Sequence, residues 1–383
     1  MKLQSGKWNP GIAAVRSIVI SAVIIIHGIA VFHPEGIWLV RMSQKENLSA
    51  WIVGAFLAIF SPFWMSILFM LSGSLSAKSL ERQNKGNYLR SRAQRLLIPC
   101  LLYAIILGPL TRLISVNLTS PETNPLSANL ASQINPALLP LRLDSLWFCV
   151  TLFIFAVIIS QLSNSKIFRK FQRFIAKLMN SSQRVLPCAV TTIWIALTAF
   201  FGYSLKLFGG SIYVAPVNNF LAMIGLVHYV GHLEWIATDF SVLFFSFLVL
   251  DLSEKIRLYS REKFILACAW LLLAVAITSN AVHGGLFDEV LRCIYISASL
   301  CIVSIVIKNY KQKQSDFFFS KASDCSYGAL VFHALIISVI AGIVGYLGIP
   351  SQSGVIVVPV AGLVLSYGCA FLLRRNKYVA KII

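Results

Sequence analysis

Long apolar runs separated by short basic clusters set the pattern of this chain. The runs fall at about 12–32, 51–76, 97–116, 145–164, 185–208, 264–280, 288–307, 326–347 and 354–373, with a marginal one at 238–253. A helix needs about 20 apolar residues to cross a bilayer at about 1.5 Å rise per residue. The pattern therefore predicts an all-α, polytopic membrane protein of about ten transmembrane helices, forming a single domain over residues 1–383. Residues 211–236 are apolar too, but Pro216, Asn218, Asn219, His228, His232 and Glu234 interrupt them. Counted as a span, they would invert every later loop. They are expected instead to form a re-entrant or interfacial stretch on the outer side. Residues 117–143 hold four prolines and little periodicity, and read as a loop.

Charge orients these helices. Only 12% of residues are charged and 57% are hydrophobic, against roughly 25% charged in soluble domains. The net charge of +19 lies in clusters between apolar runs, which is a topology signal rather than a nucleic-acid groove. Of 33 basic residues, 26 fall in segments on one side, against Arg41, Lys45 and Arg142 on the other. By the positive-inside rule both termini are cytoplasmic. The partner this composition implies is the lipid bilayer. The eight cysteines show no metal or redox spacing, so no metal site is expected. A transporter or flippase for a sugar-linked or lipid-linked substrate is the alternative class. It predicts repeat symmetry and broken midplane helices, and the chain has no internal repeat.

Chemistry enters with the first helix. Arg16 and His27 sit in an otherwise apolar run. A step of eleven positions sets them about 16 Å and about three turns apart, so both point from one face. Ionisable residues at membrane depth mark functional paths. Arg16 as a snorkelling anchor and His27 as a polar link to a neighbouring helix are the plainer readings. Ser72-Gly73 closes the second run, and small residues there permit close helix approach. Arg92 and Arg95 follow, three apart and on one helical face, and suit phosphates as well as topology. Asp144 opens the fourth run, where a carboxylate can orient an imidazole or simply be solvated. His333, seven residues into the ninth run, is expected in the inner half of the bilayer, meeting a cofactor or bonding between helices.

In order, these features resemble the acyltransferase-3 family of integral-membrane acyltransferases. Arg16 and His27 match its Arg, ten residues, His. Ser72-Gly73 and Arg92-x-x-Arg95 match the motifs that follow. Leu146-Trp147-Phe148 is similar to the opening of a later span in the subgroup that succinylates periplasmic glucans, and Ser326 to His333 resembles a late Ser-to-His pattern. Ser145 and Leu330 depart from the family's pattern. The resemblance implies an acyltransferase transferring groups other than aminoacyl groups, in a bacterial inner membrane. It would move an acetyl or succinyl group from cytoplasmic acyl-CoA, its donor substrate, to a hydroxyl of an extracytoplasmic glycan acceptor. It assigns His27 as general base, and Arg16, Arg92, Arg95, Ser72 and His333 to the donor; Asp144, the carboxylate the residues themselves offer as an orienter of His27, stands one position off the acidic or histidine position of relatives. With no nucleophile–base pair at suitable spacing, direct transfer is expected rather than an acyl-enzyme.

Overall fold

The computed structural model describes residues 10–33, 64–119, 146–179, 233–249 and 316–383, with single positions at 40, 42, 143, 303 and 307. Among the described residues there are helices and no strands. In chain order they are α1 (Pro10–Ala30), α2 (Trp64–Arg82), α3 (Lys85–Leu102), a π-helical turn (Tyr103–Leu107) and α4 (Gly108–Thr119). Then come α5 (Trp147–Leu162), α6 (Lys166–Met179), α7 (Leu233–Val249), α8 (Asp316–Tyr346), α9 (Ser351–Leu373) and a 3₁₀ turn (Val379–Lys381).

Among the described residues, four stretches are long and apolar enough to cross a membrane: Pro10–Ala30, Lys85–Ser115, Ser320–Tyr346 and Ser351–Leu373. The last two make an antiparallel pair. Its turn closes with Ile349 N–H on the Val344 carbonyl and Gly348 N–H on the Gly345 carbonyl, with Gly348 at φ 65°. This is the left-handed helix stop that glycine favours, and Pro350 follows it.

Several boundaries differ from the hydropathy reading. The helix holding Arg92 and Arg95 starts at Lys85, where Asn84 caps it by accepting from Asn87 N–H at 2.8 Å, and helical structure continues from there through the third apolar run to Ser115. The marginal run at 238–253 is helical from Leu233 to Val249. Helix α8 begins at Asp316, ten residues before the expected start at 326, since polar residues such as Ser323 and Asp324 continue a helix without changing its period. The runs at 51–63, 185–208 and 264–280, nearly all of 288–307, and the interrupted stretch up to residue 232 lie outside the described residues.

In lipid, helices associate through close packing and polar contacts rather than through expulsion of water. Gly73 of α2 illustrates this. A Cβ there would lie 2.1 Å from the Leu243 carbonyl oxygen of α7. On the same pair Ser246 Oγ donates to the Met70 carbonyl at 2.5 Å. The Ser-Gly motif thus divides its work: Gly73 seats α2 on α7, and Ser72 is turned to a cavity.

Candidate active site

Helix α1 is gripped on two sides. Arg16, Ile20 and His27 share one face, and Ser17, Ser21 and Gly28 lie about 100° round the helix. The second face meets α9. Tyr367 OH donates to the Ser17 carbonyl at 3.3 Å and lies 3.1 Å from Ser21 Oγ. A Cβ on Gly28 would be 2.6 Å from Pro359 Cα, so the two backbones touch beside His27.

The first face meets α8. Arg16 Nε donates to Ser323 Oγ at 3.0 Å, and its Nη2 donates to the Ser323 carbonyl at 2.5 Å. Eleven residues on, His27 Nδ1 lies 2.7 Å from His333 Nε2. The contacts pair 16 with 323 and 27 with 333, so α1 and α8 run parallel.

The two imidazoles lie within 14° of parallel, with centroids 5.0 Å apart. A nitrogen separation of 2.7 Å is too close for one ring lying over the other, so the bond runs in the shared ring plane. Its direction follows from the next partner. His333 Nδ1 is 2.5 Å from the Leu330 carbonyl oxygen, which can only accept. His333 Nδ1 therefore carries the proton, and neutral His333 presents a lone pair at Nε2. His27 Nδ1 donates to it, and the basic lone pair of His27 resides on Nε2.

The sequence count placed His333 in the inner half of the bilayer, apart from His27. The structure places the two side by side, because α8 starts earlier than its apolar run and His333 falls near the middle of Ser320–Tyr346.

Below this pair is a cavity of about 300 Å³. Arg16, Ser72, Arg92 and Arg95 all line it, so four positions from three helices, separated by up to 79 in sequence, share one space. Arg92 is held in place: its Nη2 donates to Ser76 Oγ at 3.1 Å, and its guanidinium lies 5.4 Å from the Tyr88 ring centroid. Leu330 also lines the cavity. Its carbonyl holds His333, so the cavity wall reaches within one helical turn of the histidines.

Sequence reasoning missed two further cations, Arg374 and Lys381, on the same wall. After α9 the chain folds back through the 3₁₀ turn, and Ile383 is buried in the main core. Arg374 Nη1 donates to the Ile383 carbonyl. These residues look like any positive-inside cluster in sequence, and nothing in their spacing announces the turn. Among the described residues, Asp324 is the one carboxylate side chain lining the cavity, against five cations. Tyr327 was also missed. It lines the cavity and sits 3.4 Å from Cys149 Sγ. Asp144 lies outside the described residues.

A family model described as an acyltransferase domain, that of acyltransferase-3, matches residues 9–375. The chain belongs to the acyltransferase-3 family. Nothing among the curated proteins or the solved structures matches it. The chain is thus a membrane acyltransferase of that family, and its motif residues Arg16, His27, Ser72, Arg92, Arg95 and His333 meet in one cavity and the histidine pair above it.

Proposed function

We propose that this acyltransferase is an O-acyltransferase. It moves an acetyl or succinyl group from cytoplasmic acyl-CoA to a hydroxyl of an extracytoplasmic glycan, with both ends of the chain cytoplasmic. The observation that carries the reading is the alignment of the cationic cavity with the histidine pair along two parallel helices. The donor's phosphates rest on Arg16, Arg92 and Arg95, with Arg374 and Lys381 completing a polyanion site that guanidinium forks suit. Ser72 supplies a hydroxyl on the same wall. The pantetheine arm runs along α1 and α8, spanning about 15–16 Å to the histidines.

His27 Nε2 takes the proton of the acceptor hydroxyl as its oxygen bonds to the thioester carbonyl carbon. The tetrahedral centre collapses, the carbon–sulfur bond breaks, and the same proton passes from His27 to the departing thiolate. Ester and free thiol result, so the atoms balance without a covalent enzyme intermediate. His333 is a positioning residue. It holds His27 in the tautomer with Nε2 basic and accepts from Nδ1 when the ring becomes positive.

Mass spectrometry of envelope glycans from cells with wild-type protein, His27→Ala or none tests this. The expected result is an acetyl or succinyl mass increment with wild type alone. A full increment with a membrane-inserted His27→Ala protein removes the general base from the scheme.

A further inference from the structure

Helix α6 stands apart from the spans. Its sequence, KIFRKFQRFIAKLM, holds five basic residues and no acidic one. At 100° per residue, Lys166, Arg169, Lys170 and Arg173 fall within an arc of about 100°, while Ile167, Phe171 and Phe174 fall within about 60° on another flank. Phe168 faces a third direction. It is buried, with its ring 5.6 Å from Phe244 and 5.7 Å from Phe247 of α7, and this contact fixes how the helix is rolled. Lys166, Lys170 and Arg173 then point away from the bundle, Arg169 stands at the edge of the arc nearest to it, and the apolar flank points sideways. That flank is uncovered: Ile167 is 80% exposed, Phe174 55% and Phe171 37%. Helix α6 also lies at the end of the bundle where α2 stops and α3 begins, since Arg169 shares a small cavity with Gln83, Asn84 and Lys85. That is the same end as Arg92 and Arg95.

We propose that α6 is a membrane-surface element that docks on an anionic lipid leaflet. Ile167, Phe171 and Phe174 seat at the boundary between headgroups and acyl chains, and Lys166, Arg169, Lys170 and Arg173 bind headgroup phosphates. A basic arc beside an apolar flank is the complement of such a surface. A water-facing helix would not keep two phenylalanines and an isoleucine on one uncovered flank, and a protein partner would leave them dry but away from acyl chains.

The test uses the full chain in nanodiscs of phosphatidylcholine alone or mixed equally with phosphatidylglycerol. Phe174→Cys carries a bimane label, the labelled parent reports the native cysteines, and brominated acyl chains serve as quencher. Quenching specific to position 174 is expected, at least about twofold stronger in the anionic mixture. High salt, or glutamine at all four basic positions, should remove the difference; the salt arm needs no further substitution. No quenching in either lipid would overturn the proposal, leaving α6 to water or to a protein partner. Equal quenching in both, indifferent to salt, would overturn the anionic preference.

Discussion

Gly28→Ala is the sharpest perturbation this arrangement offers, because its magnitude follows from a distance. The added Cβ would sit 2.6 Å from Pro359 Cα and 2.9 Å from Pro359 N. Both are backbone atoms, so no side chain can swing aside. Ordinary contact starts at 3.4 Å, and α1 and α9 must part by about 0.8 Å, an overpacking that costs about 1–3 kcal/mol. His27 is the adjacent residue and moves with α1, while His333 stays on α8. A displacement of about 1 Å at a reacting group costs on the order of 10²-fold in rate. The expected result is a lower melting temperature in detergent, together with acyl transfer per folded molecule reduced by up to about 100-fold. Gly368→Ala, on the same α9 with nothing within 4 Å of the new Cβ, serves as control and should match or slightly exceed wild type in stability. If Gly28→Ala melts and transfers like Gly368→Ala, the α1–α9 contact is not what holds the imidazole.

Other expectations follow from the same geometry. His333→Ala should cut transfer by about 10²–10⁴-fold, and His333→Gln, whose amide oxygen can accept from His27 Nδ1, should restore part of it; equal loss in both would remove tautomer control. Arg92→Gln with Arg95→Gln should raise the acyl-CoA dissociation constant at least about tenfold by calorimetry, and an unchanged constant would leave the two as topology anchors. Ser366 is wholly buried, with Oγ lacking a hydrogen-bond partner, so Ser366→Ala should be neutral or raise stability by about 1 kcal/mol in thermal melts; a clear loss would mean the hydroxyl is satisfied.

The first helix was legible because cation and imidazole are close in sequence and the helical period alone puts them on one face. Arg92 and Arg95 were legible for the same reason. The histidine pair was not, since His27 and His333 are 306 residues apart and pairing follows from how α1 lies on α8. Hydropathy also placed the start of α8 late, because Ser323 and Asp324 lower the average without breaking the helix, and that start put His333 out of level with His27. Arg374 and Lys381 could not be told from topology charges, as a cation's role depends on what the chain does next. The phenylalanines of α6 were hidden in the same way: the basic residues between them read as one more inside cluster until Phe168 fixed the roll of the helix.

Arg16 meets Ser323 at one level and His27 meets His333 at another, a step of eleven positions on one helix and ten on its neighbour. Two parallel helices, bonded at both levels, make a gauge of about 15–16 Å that neither can alter alone. Under the proposed function, a donor bearing its charge at one end and its reactive carbonyl at the other is measured by length before any contact with the acyl group counts. An acyl phosphate, whose carbonyl adjoins its charge, satisfies one end of the gauge and leaves the other empty.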